Sequence, residues 1–267
     1  MTERVRTDVG LGFDNVPEVY DRIRPTYPPA LFARLFSYLP GDVDLCAVES
    51  GPGTGQATRP LLEHGIAVTA VEPGQALAAF LLNKLGTEFP MLDVIIAKFD
   101  DANLVAGAYD LVLAATSFHW LDKQTRFQRC YDLLRSGGVL AVVQTNQIES
   151  DVDAGFFEAA QPICDRHQHT DPPPALPTEE ALEPEEYADL VASGLFDNIQ
   201  LHKYRWDQTY SSRDYGDLMR SYSVTQAMEP PQQEALISEI CAFIEAKFEG
   251  EITRPLVMTL SLGRKRS

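Results

Sequence analysis

Apolar residues recur along the chain in short runs, and the runs alternate with stretches of helical spacing. Residues 28–38 open on Pro28-Pro29 and then place Leu31, Leu35 and Phe36 at helical intervals, which predicts a helix. Leu45–Glu49 reads as a short buried strand and Gly51–Gly55 as a turn. Gln56–His64 continues as a helix that stops at Gly65. Ala67–Glu72 predicts a second strand, broken by Pro73-Gly74, and Gln75–Lys84 the next helix. Leu92–Ala97 and Tyr109–Ala115 predict the third and fourth strands. Lys123–Leu134 predicts a helix closed by Ser136-Gly137-Gly138, and Val139–Gln144 a fifth strand. Strand and helix in strict alternation argue for a parallel sheet in an α/β fold.

The alternation lapses after residue 144. Ala154–Asp165 predicts a helix, followed by a proline-rich loop over 171–177. Glu185–Ser193 predicts a helix ending at Gly194, Ile199–Tyr204 a sixth strand and Leu256–Leu262 a seventh, with a helical insertion over roughly 212–248. Long insertions in α/β enzymes usually carry substrate contacts or lids. No internal repeat and no dividing linker is evident, so 1–267 reads as a single domain, with 145–182 and 208–254 as insertions.

The segment with the most chemical content is Glu49-Ser50-Gly51-Pro52-Gly53-Thr54-Gly55, which follows a strand and opens a helix. Its glycines let the backbone turn sharply and approach a ligand closely. A dinucleotide-binding turn wants a small residue three places after Gly53, beside a pyrophosphate, and Gln56 stands there instead. Glu72 ends the next strand, where an acid can accept both hydroxyls of a ribose or, alternatively, cap the following helix. Phe99-Asp100 follows the third strand and suits either an adenine, whose amino group a carboxylate accepts, or a polar turn. Asp110–Trp120 runs from the fourth strand into a loop rich in polar and aromatic groups.

The acid-x-Gly-x-Gly-x-Gly spacing resembles the first motif of class I methyltransferases. The order of several further segments is similar to the small-molecule subfamily related to trans-aconitate methyltransferases. These are Tyr20-Asp21-Arg22-Ile23-Arg24-Pro25-Thr26-Tyr27-Pro28, Glu49–Thr58, Val71-Glu72-Pro73, Phe99-Asp100, Ala114–Trp120, Arg135–Val139 and Arg254-Pro255 to Gly263. The resemblance implies a Rossmann-like seven-stranded sheet, the last strand antiparallel, with helices on both faces and a helical lid from the insertions. It implies S-adenosylmethionine as cofactor, with S-adenosylhomocysteine as product. Glu49, Gly51, Pro52, Gly53 and Gly55 then form the cofactor turn, and Glu72 with Pro73 takes the ribose. Phe99 and Asp100 flank the adenine, Thr116 and Ser117 lie beside the methionine end, and Tyr20 and Arg24 come from a covering N-terminal segment. Ser50 and Pro52 depart from the commoner residues of the motif but remove neither a glycine nor the acid.

Catalysis and specificity are less sharply written. His119 is a candidate base, since imidazole titrates near neutral pH, or it shapes the pocket with Trp120. Tyr27 and Tyr222 complete the expected substrate wall. Arg213 and Arg220 suit a substrate carboxylate or a solvated surface equally. Cys164-x-x-His167-x-His169 does not match a familiar zinc spacing, and no metal is expected. The readings left open are an O- or carboxyl-methyltransferase on a small metabolite, a C- or N-methyltransferase, and a non-catalytic or repurposed protein that binds the same cofactor. An NAD enzyme is disfavoured by Gln56.

Charge narrows the partners. Lys and Arg number 22 against 39 Asp and Glu, a formal net charge of −17. Such a chain is repelled by phosphate backbones and anionic membranes, which leaves a small molecule as the expected partner of a monomer or homodimer. No apolar run reaches the roughly 18 residues of a membrane span. Met1–Asp14 lacks a signal-peptide core, and the four cysteines form no CxxC pair, so the cytoplasm is the expected compartment.

Overall fold

The computed structural model describes residues 17–41, 44–168 and 175–266. Seven strands form one sheet in the order β3-β2-β1-β4-β5-β7-β6. They are β1 (Cys46–Ser50), β2 (Ala67–Val71), β3 (Leu92–Ile95), β4 (Tyr109–Ala115), β5 (Leu134–Gln147), β6 (Phe196–Ser211) and β7 (Glu251–Lys265). The pairings β1–β2, β1–β4, β2–β3 and β4–β5 are parallel, and the last strand is antiparallel. The α/β architecture expected from the alternating pattern is the one observed.

The helices in chain order are α1 (Pro17–Ile23), α2 (Pro29–Tyr38), α3 (Thr58–Glu63), α4 (Gln75–Leu85), α5 (Arg126–Leu133), α6 (Phe156–Gln168), α7 (Glu185–Ser193), α8 (Ser212–Arg220), α9 (Ser223–Gln226) and α10 (Pro230–Lys247). Pro29 opens α2, where its fixed φ suits the first turn and its missing N–H leaves nothing unpaired. Gly194, at φ +65°, ends α7 as a left-handed cap.

The chain divides into two compact units. One comprises residues 26–145, 183–204 and 258–267, and carries β1–β4 and the greater part of β5. Its core is built from inward strand residues such as Val48, Val112, Leu140 and Val142, packed with Phe118, Phe127 and Leu133. Strands buried on both faces become near-continuous apolar runs, which is why Leu111–Ala114 is buried without a break. The other unit comprises residues 1–25, 146–182 and 205–257. It centres on Phe156, whose ring meets Tyr215 edge-on at 5.4 Å and Phe248 at 5.3 Å, among Leu236, Ile240 and Ile244.

Three strands differ most from the sequence reading. The expected turn at Ser136-Gly137-Gly138 lies inside β5 as a bulge. Tyr109 pairs Leu134 and Leu111 pairs Val139, so β5 spends extra residues there, with Gly137 at φ +75°. Strand β6 runs well beyond 199–204 in both directions. It ends the strand order, and an edge strand tolerates the polar residues that hid it. Strand β7 likewise extends past 256–262 at both ends. The predicted signal-free N-terminus, His169 and residues 171–174 lie outside the described residues.

Arg126 is 3% exposed, its guanidinium lying over the rings of Phe118 and Phe127 and pairing with Asp189 on α7 at 2.8 Å. Removing one partner of a buried pair leaves the other charge uncompensated. Asp189→Ala is therefore expected to cost about 2 kcal/mol in urea unfolding, discounted because Asp189 is itself a third exposed. Arg126→Met should cost less. The reverse order would show that the apolar contacts of Arg126, not its charge, dominate.

Candidate active site

Strand register brings three carboxyl ends together. Ser50, the last residue of β1, pairs Val71 of β2 on one side and Ala114 of β4 on the other. Between β1 and β4 the strand order reverses direction, and open α/β sheets bind ligands at such a switch point. The segments that leave these ends are Gly51–Gly55, Glu72–Gly74 and Thr116-Ser117, three of the segments singled out from sequence.

The carboxylate of Glu72 joins two of them. Gly53 N–H donates to one oxygen at 3.0 Å and Gly74 N–H to the other at 2.9 Å. Gly74 is the N-cap of α4, so Glu72 supports that helix entry while also tying down the glycine turn. Glu72 is 5% exposed.

The turn is held from several sides. Gly51 N–H reaches Val71 O at 2.9 Å, and Gly55 N–H closes on Pro52 O at 3.0 Å. Gly51, Gly53 and Gly55 all have positive φ (62°, 57° and 90°). A Cβ on Gly51 would lie 2.8 Å from Cβ of Ser117, and one on Gly55 2.6 Å from Leu81 Cδ1. Lys84 Nζ donates to Thr54 O at 3.2 Å, tying α4 back to the turn.

Beneath the turn, Glu49 is buried and accepts from Thr58 Oγ1 at 2.7 Å. Burial pushes its carboxyl up to about 7; the Thr58 bond pulls it down, and the negative Glu72 nearby adds to the rise. Thr58 was not singled out from sequence. Its signal is a hydroxyl on the first residue of the helix after the turn.

The loop after β4 is also strained and anchored. Thr116 sits at φ +58°, unusual for a β-branched residue. Its N–H meets Val143 O at 2.8 Å, its hydroxyl meets Tyr27 OH at 2.9 Å, and Ser117 Oγ donates to Ser50 O at 2.5 Å. Strain of this kind concentrates at functional sites. His119 and Trp120 follow in a 3₁₀ turn, both partly exposed, with ring centroids 4.8 Å apart.

Phe99 lies in the core with Phe118 and Leu121, whereas Asp100 is exposed and accepts from Asp122 N–H at 3.2 Å. Tyr20, Arg24 and Tyr222 belong to the other unit, where Arg24 lies over the rings of Tyr20 (4.8 Å) and Tyr222 (5.9 Å). Arg220 pairs with Asp217 and Glu234, so its charge is matched within the protein; Arg213 is exposed. His167 Nε2 lies 2.9 Å from Glu239, and among the described residues no cluster of metal-ligating groups occurs.

A family model described as a methyltransferase domain matches residues 48–142, which span the glycine turn, Glu72 and the loop after β4. An uncharacterized methyltransferase of Mycobacterium tuberculosis is 27% identical over 222 residues, covering 82% of this chain and 81% of its own length. Together these likenesses support a methyltransferase that uses S-adenosylmethionine. Solved structures agree on the fold of this methyltransferase. A protein of Anaeromyxobacter dehalogenans named for a type II methyltransferase superposes with a TM-score of 0.61 at 22% identity, over 91% of this chain and 97% of that one. Phosphoethanolamine N-methyltransferase 2 of Haemonchus contortus, solved with phosphomonomethylethanolamine and S-adenosylhomocysteine, gives 0.55 at 13% identity. There the match covers 95% of this methyltransferase but 58% of the other chain, and at such identities the likeness establishes the fold alone.

Two outcomes follow from this geometry. Gly51→Ala forces a 2.8 Å contact at positive φ, so it should lower stability by about 1–3 kcal/mol and weaken cofactor binding more than Gly107→Ala, where positive φ is strained but no atom is near. Equal effects of the two on calorimetric cofactor affinity would dissociate the turn from the site. Glu49 has a folded value raised from 4.5 to about 7. Its stabilising protonated form is therefore complete below about 4.5, and the benefit is lost as pH rises to about 7, on the order of 3 kcal/mol in all. Glu49→Gln should flatten the decline of unfolding free energy between these pH values, and an unaltered slope would place the titration elsewhere.

Proposed function

We propose that this methyltransferase transfers a methyl group to an oxygen, of a hydroxyl or a carboxylate, on a small cytoplasmic metabolite, working as a monomer or homodimer. The observation that supports the cofactor side is the Glu72 carboxylate at the carboxyl end of β2, whose two oxygens are already oriented by Gly53 and Gly74, at the place where open α/β sheets meet a ligand's ribose. Glu49, Gly51, Pro52, Gly53 and Gly55 line the cofactor, with Pro73 beside the ribose. Asp100 receives the adenine amino group while the Phe99 ring backs that wall. Thr116, Ser117, Tyr20 and Arg24 hold the methionine end. The net charge of −17 supports a small-molecule acceptor over a polyanion.

S-adenosylmethionine, when bound, supplies a methyl group already activated on a sulfonium. The chain's own part is to align the acceptor, hold it in line and keep bulk water away. His119 takes the proton of a hydroxyl acceptor; for a carboxylate acceptor no proton moves, and His119 serves with Trp120, Tyr27 and Tyr222 as wall. Insertions 145–182 and 208–254 act as the substrate lid.

Calorimetric titration of the full chain with S-adenosylhomocysteine, with NAD as control, tests the reading. Binding of the thioether alone is expected, and Glu72→Ala should weaken it about tenfold or more with the circular dichroism spectrum unchanged. Binding of NAD instead would overturn the cofactor reading, and full affinity in the folded variant would remove Glu72 from the site.

A further inference from the structure

The connection from β3 to β4 is built unlike its neighbours. Helices α3, α4 and α5 carry the chain from β1 to β2, from β2 to β3 and from β4 to β5, but no helix forms between Ile95 and Tyr109. A parallel sheet keeps both faces covered, and crossover helices usually cover them. The loop over 96–108 does so only in part: Ala102 is buried in the core, whereas Ile96 and Val105 are 55% and 69% exposed. What remains is a cavity of about 330 Å³ against the amino ends of β1 to β4. All of its lining belongs to the unit that carries the glycine turn. Cys46 begins β1 at the cavity and Ser50 ends it at the turn, about 13 Å away along the strand.

Register places the polar groups of the cavity on one face. Cys46 pairs Ala67, Thr69 pairs Asp93, and Ala67 and Thr69 lie two apart on β2, so all four side chains project the same way. Tyr109 is 9% exposed, yet its hydroxyl has no hydrogen-bond partner among the described residues and is not one of the atoms shut off from solvent. That hydroxyl therefore opens on the cavity that Tyr109 lines. A nearly buried phenol without a partner is costly until something meets it. The Thr69 hydroxyl and the Asp93 carboxylate likewise meet no partner among the described residues, and the Cys46 thiol has Asp44 O at 3.8 Å. Met91 and Val105 supply apolar wall, and no Lys, Arg or His is among the described residues that line the cavity.

We infer that this cavity is a binding site, separate from the glycine turn, for a small organic cation: a primary or secondary amine carried on an apolar body. Its size and its apolar wall with a few convergent polar groups are those of a small-molecule site. One carboxylate with no cation to match it selects a positive ligand, and the two hydroxyls can accept the further N–H groups of an ammonium. The excess of acids over bases, 39 to 22, draws cations toward the protein and repels anions. The apolar body takes the place of the missing crossover helix on the sheet face. Because the cavity lies at the amino ends of the strands, its occupant is not the methyl acceptor, and the assignment stands independently of which acceptor is used.

The test is thermal shift of the full chain with benzylamine, phenethylamine and cyclohexylamine, each against its matching alcohol, and with methylamine as a cation that lacks the apolar body. At least one of the three amines is expected to raise the melting temperature where its alcohol and methylamine do not. Asp93→Asn, at an exposed position that folding does not depend on, should weaken half-saturation about fivefold. Tyr109→Phe, which keeps the ring, should weaken it about threefold, and Thr69→Met should fill the cavity and abolish the response. S-adenosylhomocysteine affinity should be unchanged in Asp93→Asn. Cys46 gives a second readout: its alkylation by N-ethylmaleimide, mapped by mass spectrometry, should slow in the presence of the same amine while that of Cys164 and Cys241 does not. No response to any of the three amines, equal responses to the alcohols or to methylamine, full affinity in Asp93→Asn, or a Cys46 that is inert to the reagent or unprotected by the amine each overturn the proposal. Failure to bind S-adenosylhomocysteine strikes the cofactor reading alone.

Discussion

The arrangement of the site depends on one buried carboxylate. Glu72 stands at the end of β2 and accepts from the backbone of two separate segments, the glycine turn after β1 and the entry to α4. Backbone N–H groups in a turn have few internal partners, and left buried without one each costs on the order of 1–3 kcal/mol. By satisfying two of them, Glu72 fixes the relative position of β1's exit and β2's exit. The capping role weighed from the sequence is thus real, and it does not exclude the ribose role proposed for the same carboxylate.

Glu49 illustrates the cost of such a site. A second acid lies buried near Glu72, held up to about 7 chiefly by burial and given only a Thr58 hydroxyl to bond. Near neutral pH this residue destabilises the fold, and a glutamine would satisfy Thr58 at lower cost. Thr116 at φ +58° is a comparable expense on the β4 side. Strain and buried charge gathered around one switch point are what a ligand site, as opposed to a packing core, requires.

How far the sequence disclosed this depended on how local each signal was. The strands β1 to β4 and helices α2, α4 and α7 could be read from apolar runs bounded by Pro and Gly, because they are buried and their caps are local. The glycine turn and Glu72 were legible for the same reason: positive φ demands glycine, and an acid at a strand end is conspicuous. Thr58 escaped notice because its partner Glu49 is fixed only by the fold. The length of β6 was hidden because an edge strand can carry Asp197, Asn198, Lys203 and Arg205 without burying them, so its polar residues look like loop. Arg254 was visible only as part of a matched ending, since its partners Tyr222 and Gln147 are brought to it only by the fold.

That last point bears on where specificity resides. Methyl transfer makes few demands on the protein beyond alignment and dryness, so a cofactor turn of one geometry can serve acceptors of many kinds. The residues that choose the acceptor must then be those whose chemistry the fold itself does not need. Arg220, matched by Glu234 and Asp217, meets a need of the fold. Arg254, bonded to the neutral oxygens of Tyr222 and Gln147, meets no carboxylate among the described residues.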